Sequence, residues 1–140
     1  LAGTWPTVWY HSTYVPTSKT FADNFTKKYG KPPENHAWIE YVSMKVMAQA
    51  MSEIKGTDNA KLIAHLEKQA QFDILKGRKS YLRNWDHQLM QEAYPFTAKK
   101  KGEPKDKWDV MTLGPAVPAA NQSLESIAPT REQNACTFKA

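Results

Sequence analysis

One cysteine, six glycines and the lack of any long apolar run narrow the reading of this 140-residue chain before any motif is considered. Cys136 has no partner of its own kind, so the chain forms no internal disulfide and its cysteine usage does not identify a redox compartment. In an exported protein that thiol either pairs with a cysteine elsewhere, stays free, or packs as a small buried residue. There is no Gly-x-Gly-x-x-Gly and no Walker lysine, which removes the common phosphate-cradling loops. A Gly-x-Ser-x-Gly elbow and a Cys/His cluster are also missing, so nucleophilic and metal chemistry have no sequence signature here. No stretch of about 20 apolar residues is available to cross a bilayer as a helix. The expectation is a non-enzymatic protein without a cofactor.

What is present is ordinary for one globular layer: 41% hydrophobic residues, 11% aromatic and 24% charged. The net charge of +5 raises nucleic acid or anionic lipid as partners. The surplus, however, sits in Lys99, Lys100, Lys101, Lys105 and Lys107, broken by Gly102, Glu103, Pro104 and Asp106. That is turn composition, and it predicts a solvated hairpin tip between strands at 94–98 and 108–112 rather than an anion-binding patch. No aromatic residues alternate with the lysines as a single-strand stacking groove requires, so no nucleic acid partner is expected.

The richest stretch is 21–51, which reads as helix, break, helix. Phe21, Phe25 and Tyr29 recur every four residues on one face of a helix at 17–29, with Thr17 or Ser18 as N-cap after Pro16. Gly30 suits a left-handed C-terminal cap, and Pro32-Pro33 forbid continuation. A second helix starts at Glu34 or Asn35 and runs to Lys55; from Ala37 to Ile54 it is apolar nearly all round, the mark of a buried helix. Gly56-Thr57-Asp58 then sets a third helix, 58–69, across a tight corner, with Gly56 as the cap residue and Asp58 as the N-cap. A strand is expected at Thr7-Val8-Trp9-Tyr10, short strands at 72–75 and 80–82, and an extended segment from Tyr94 that Pro95 places at an edge or bend. Beyond Gly114 the Pro-, Ala- and Asn-containing tail is expected to wrap the surface, anchored by Leu124 and Ile127.

Taken in order, these signals resemble a known family. A helix ending Phe25 … Lys28-Tyr29-Gly30-Lys31-Pro32-Pro33, then an aromatic turn into the buried Tyr41-Val42-x-Met44-Lys45-Val46-Met47-Ala48-Gln49-Ala50-Met51 helix, is similar to the C-terminal part of type I periplasmic substrate-binding proteins of ABC importers, the receptors for branched-chain amino acids, amides and urea. The resemblance continues through Thr57-Asp58, residues 72–83, Asp86-His87-Gln88, Glu92-Ala93-Tyr94 and Lys107-Trp108-Asp109. It implies an α/β fold, the C-terminal portion of a two-lobed three-layer α/β/α structure that is incomplete on its own. Residues 1–16 then form a crossover strand, 17–85 a segment of the first lobe, 86–113 the return crossover and hairpin of the second lobe, and 114–140 the tail. The family is more than twice as long, so a fragment or one part of a larger assembly is expected, with any export signal in preceding sequence.

The resemblance also directs attention to the start of the second helix, where unpaired N–H groups and the helix dipole face a ligand's carboxylate or carbonyl. His36 falls where the family places an aromatic residue against the ligand, and histidine there departs from the usual Phe or Tyr. Trp38 and Glu40 lie beside it, with Glu40 placed to hold an ammonium or amide. Trp9 and Tyr10 with His11 form a second aromatic cluster, at the crossover. Against each stands a structural role, Trp38 and the Trp9 strand as core, His36 and Glu40 as helix-end surface. Asp86-His87 lacks metal-ligand spacing and predicts a turn hydrogen bond. The implied function is solute capture for an ABC permease, in the periplasm or outside the cell, with the remainder of the receptor as partner. A sensory ligand-binding domain of the same fold, separable by an N-terminal transmembrane helix in place of an export signal, and a small basic interaction protein are the alternatives.

Overall fold

The helices owe their limits to local chemistry that the sequence carries. The computed structural model describes residues 3–135, so Cys136 lies outside the described residues. Strand β1 (Thr4–Thr7) precedes α1 (Pro16–Tyr29), α2 (Asn35–Ile54) and α3 (Asn59–Glu67); then come β2 (Tyr81–Leu82), β3 (Leu89–Met90), β4 (Tyr94–Ala98), β5 (Met111–Leu113) and a 3-10 turn at Leu124–Ile127. Pro16 opens α1, where its missing N–H costs nothing and its fixed φ is already helical. Gly30 ends it at φ 71, the left-handed cap expected of it. The N-cap is Val15, not Thr17 or Ser18; the Ser18 hydroxyl instead accepts the Trp9 ring N–H at 2.9 Å. At the next corner Lys55, not Gly56, takes the left-handed conformation (φ 53), while Asp58 caps α3 by accepting the Lys61 N–H at 2.9 Å.

β1, β4 and β5 form one antiparallel sheet in the order β1-β4-β5, and β2 with β3 forms a separate pair. The first strand is therefore 4–7 rather than 7–10, because Val8 to Tyr10 turn off the sheet to carry Trp9 into the core. Pro95 lies in the central strand, not at the edge or bend expected of it. Two features make that tolerable. On one side it faces Pro6, so neither residue has an N–H to leave unpaired; on the other its carbonyl accepts Gly114 N–H at 2.8 Å just as β5 ends. Gly114 is needed there, since a Cβ would sit 2.9 Å from Pro95 Cγ. β5 begins at Met111, three residues later than Trp108, because Asp106 and Asp109 hold 105–109 in turns by accepting backbone N–H groups. Residues 72 and 80 make only a single bridge, and the ordered pairing in this region is β2 with β3.

The core gathers Trp9, Trp38, Val42, Ala50, Leu62, Phe72, Ile74 and Leu75. Burying a side chain the size of Phe72 or Ile74 contributes about 1.5–3 kcal/mol, so this cluster carries the association of α2 and α3 with the 72–75 segment. Phe21, Phe25 and Tyr29 follow one another along α1 in tilted ring contacts with centroids 5.9 and 4.5 Å apart, and Phe21 stacks on Tyr41 of α2 at 4.6 Å. α2 is not covered all round: Tyr41 and Met44 are exposed, and Val46 and Met47 are half-buried. Ile127 is also exposed, so among the described residues of the tail the buried apolar anchors are Pro118 and Leu124.

Candidate functional site

The α2 opening is built by the break that precedes it. Pro33 is buried, Glu34 is the N-cap in extended conformation, and its side chain caps nothing, so the first-turn N–H groups of α2 receive no side-chain cap from it. Asn35 is turned away to donate to Thr7 Oγ1 at 3.2 Å, which ties the helix start to the end of β1. His36 and Glu40 are both exposed and, four residues apart, lie on the same side of the helix. Trp38 and Val42 take the opposite side and are buried.

Trp38 and Trp9 meet in the core rather than in a cleft. Their rings are stacked, 6.1 Å apart and 5° from parallel, and both are wholly inaccessible. Each ring N–H is satisfied inside the chain, Trp9 by Ser18 and Trp38 by the Ile74 carbonyl at 2.9 Å. Neither ring presents surface to a solute in this arrangement. Tyr10, next along, is half-buried and lines a cavity of about 220 Å³ with His11, Glu34, Asn35 and Trp108. Its hydroxyl donates to the Trp108 carbonyl and accepts the Val110 N–H at 2.9 Å, and His11 Nε2 lies 3.2 Å from the same carbonyl. Burial pushes the Tyr10 phenol above its ordinary range, so it remains a neutral donor and acceptor. The cavity thus brings together the residues that follow β1, the α2 opening and the far end of the hairpin, segments that lie about 100 residues apart at their extremes.

Three polar clusters had no signal strong enough to find in the sequence. Arg83 is buried and makes hydrogen bonds to both Asp86 oxygens, to Glu125 Oε2 at 3.1 Å, to the Pro129 carbonyl at 2.9 Å and to Gln88 Oε1 at 2.7 Å, with Trp85 stacked 4.1 Å from the guanidinium carbon. Burial acts to raise the Asp86 carboxyl, but Arg83 and the Gln88 N–H outweigh it and hold the group below the usual range. Asp86 therefore serves a turn clamp. His87 points elsewhere, with Nε2 2.9 Å from Glu67 Oε1, and among the described residues no group of three or more His, Cys, Asp and Glu could hold a metal ion. Arg78 binds Glu92 Oε1 at 2.9 Å and the carbonyls of Pro118 and Gln122 at 2.8 and 2.7 Å, giving the tail a second clamp.

The third cluster centres on Lys76, which is only 4% exposed. Its ammonium donates to Gln91 Oε1 at 2.7 Å and to the Glu92 carbonyl, and it stands 4.9 Å from the Trp38 ring and 5.6 Å from the Tyr94 ring. The residue before it, Leu75, is buried at φ 65, a conformation a branched side chain adopts only under constraint. Asp73 Oδ1 supplies part of that constraint by accepting the Leu75 N–H at 2.8 Å. The hairpin, by contrast, is a solvated tip: residues 100–107 are exposed, and Lys99 is neutralised by Asp109 at 2.6 and 2.7 Å.

On the other side of α2, Ile39, Val46 and Met47 join Leu66, Leu82 and Leu89 around an apolar cavity of about 340 Å³. No described helix is long and apolar enough to cross a membrane.

Comparison with known proteins places this geometry. No curated protein matches the chain. Among solved structures, a periplasmic binding protein from Burkholderia mallei superposes with TM-score 0.79 at 24% identity, covering 95% of this chain and 33% of its own, a likeness of fold. A branched-chain amino acid ABC transporter periplasmic ligand-binding protein from Burkholderia xenovorans superposes with TM-score 0.72 at 26% identity over 81% of this chain and 29% of that one. An ABC-type branched-chain amino acid transporter from Rhodopseudomonas palustris gives 0.66 at 25% identity over 80% and 29%. The chain thus spans about a third of the length of the solved structures it matches. Its sheet and helices are a portion of the two-lobed type I fold, and with the family model for periplasmic binding proteins matching residues 2–103, the chain belongs to that family.

Proposed function

We propose that this chain is part of the solute-binding receptor of an ABC importer, a non-catalytic protein that closes two lobes around an amino acid, an amide or a similar small polar solute. The observation that carries this reading is the family match over residues 2–103, joined to 26% identity with a branched-chain amino acid receptor. Residues 17–85 serve the first lobe, 1–16 and 86–113 the crossovers and second lobe, and 114–140 the tail; the pairing of β1 with β4 supports this division. The solute approaches the α2 opening, where His36 and Glu40 are exposed and first-turn N–H groups favour a carboxylate or carbonyl. Tyr10 stands beside that opening, while Trp9 and Trp38 act beneath it by fixing where the helix begins. The partners are the remainder of the receptor, seated on the apolar cavity of Val46, Met47, Leu82 and Leu89, and a membrane permease that accepts the solute. The site of action is the periplasm or the cell exterior, and nucleic acid has no part in it.

Titration calorimetry on the full-length receptor with L-leucine, L-valine, L-glutamine, their amides and urea tests the proposal. Saturable binding of at least one of these, weakened by about 1–3 kcal/mol in His36→Ala, is the expected result. No heat from any of them, or an affinity unchanged in both His36→Ala and Glu40→Gln, removes the site from the α2 opening.

A further inference from the structure

We infer that the cavity lined by Tyr10, Glu34 and Trp108 takes a betaine, a small carboxylate bearing a quaternary ammonium, with the methylated cation held by the Trp108 ring and the Glu34 carboxylate. The inference rests on the receptor reading above and narrows its solute. At about 220 Å³ the cavity is smaller than the roughly 300–1,000 Å³ of pockets for drug-sized ligands, so its occupant is a small molecule. Three rings line it: Tyr10 and His11, with centroids 4.2 Å apart, and Trp108 from the far end of the hairpin. Glu34 supplies the carboxylate of the lining. Ring faces joined to a carboxylate are surroundings in which an alkylammonium can leave water.

The Trp108 ring already carries a cation. Lys107, also in the lining, sets its Nζ 4.8 Å from the ring centroid. That side chain is exposed, and among the described residues no carboxylate pairs with it. Such a contact yields at little cost, so Lys107 marks the place that a solute cation takes from it. Trp108 itself is fixed on both sides of its backbone. Its N–H donates to Asp106 Oδ1 at 2.7 Å, and its carbonyl accepts from the Tyr10 hydroxyl and lies 3.2 Å from His11 Nε2. A ring carried on so constrained a backbone is set in place before the solute arrives.

A shortage of acceptors selects a methylated ammonium over a primary one. A primary ammonium brings three N–H donors, and each needs an acceptor once water is displaced. Lys107 keeps its own donors in water. The oxygens around the cavity are committed elsewhere: the Trp108 carbonyl to Tyr10 and His11, the Tyr10 oxygen to the Val110 N–H, the Val110 carbonyl to the Lys99 N–H, and the Glu34 carbonyl to the Trp38 N–H. The Glu34 carboxylate is held only loosely, 3.8 Å from Lys31 in an exposed pair. A quaternary ammonium asks for charge and ring surface and for no acceptor, which matches what is left. At the solute's other end, the first-turn N–H groups of α2, which receive no side-chain cap from Glu34, favour the carboxylate.

Titration calorimetry on the full-length receptor with glycine betaine and glycine, run beside the amino acids, amides and urea, tests the inference. Glycine betaine is expected to bind about tenfold or more tightly than glycine, its unmethylated counterpart, and to weaken about tenfold in Trp108→Ala with partial recovery in Trp108→Phe. It is expected to bind more tightly in Lys107→Ala, which clears the ring. Glycine betaine bound no more tightly than glycine, or with one affinity in the unmodified receptor, Trp108→Ala and Lys107→Ala, overturns the inference. Should Trp108→Ala not fold, Lys107→Ala and Glu34→Gln carry the test: a gain in the first with a loss in the second upholds it, and an unchanged affinity in either overturns it. L-Leucine or L-valine bound without glycine betaine overturns the inference and leaves the receptor reading standing. Glycine betaine bound without them upholds the inference and excludes them as solutes, and no heat from any solute removes both.

Discussion

Arg83 and Trp38 show how differently two buried residues can matter. Replacing Arg83 with Ala leaves the Asp86 carboxylate buried without its partner and frees the tail at Glu125 and Pro129, and removing one member of such a pair costs about 3–5 kcal/mol. Urea unfolding of Arg83→Ala checks this, and a loss under about 1 kcal/mol would show the clamp to be incidental. Trp38→Ala opens a cavity between Trp9 and Ile74 and is expected to cost about 3–5 kcal/mol, whereas His36→Ala two residues earlier leaves the melting temperature nearly unchanged. Sequence reading set Trp38 and His36 side by side as ligand candidates. Periodicity alone separates them, since positions 38 and 42 share the buried side of α2 while 36 and 40 share the exposed one. Arg83 and Lys76 had no such signal, because a cation reads as surface until the structure supplies what buries it.

At the scale of elements, the helices were legible and the strands much less so. Caps, prolines and apolar spacing act within a few residues, so α1, α2 and α3 lie within a few residues of where the sequence places them. Strands two to five residues long have little local signal, and their limits depend on partners far along the chain: β1 ends at Thr7 because Tyr94, its partner, begins β4. Two predictions belong here. Gly114→Ala pushes a Cβ against Pro95 at the point where β5 leaves β4, and overpacking of this kind costs about 1–3 kcal/mol, measurable as a lowered thermal midpoint. Converting Lys100, Lys101 and Lys105 together to Gln should leave stability and solute affinity unchanged, because exposed charges contribute little. Micromolar binding of mixed DNA by the unmodified chain, lost in that triple variant, would contradict the solute-receptor reading.

For the molecule as a whole, the apolar cavity beside α2 gives the remaining expectation. Val46, Met47, Leu66, Leu82 and Leu89 surround a volume of about 340 Å³, and the isolated 140-residue chain is expected to bind a hydrophobic dye there. Met47→Lys should abolish most of the fluorescence gain; dye binding that survives it places the exposed apolar surface elsewhere. The sequence by itself determined the three helices, the turn character of the basic hairpin, the greasy nature of α2 and the family, because these depend on spacing within about one to four turns and on the order of modest signals. Only the tertiary structure decided that Trp9 and Trp38 stack in the core, that Pro95 is central, that two arginines fasten the tail, and that Lys76 is buried between α2 and β4. Those outcomes rest on contacts between residues tens of positions apart, and burial, which sets both the energy of a charge and the role of a ring, is a property of such contacts rather than of any residue alone.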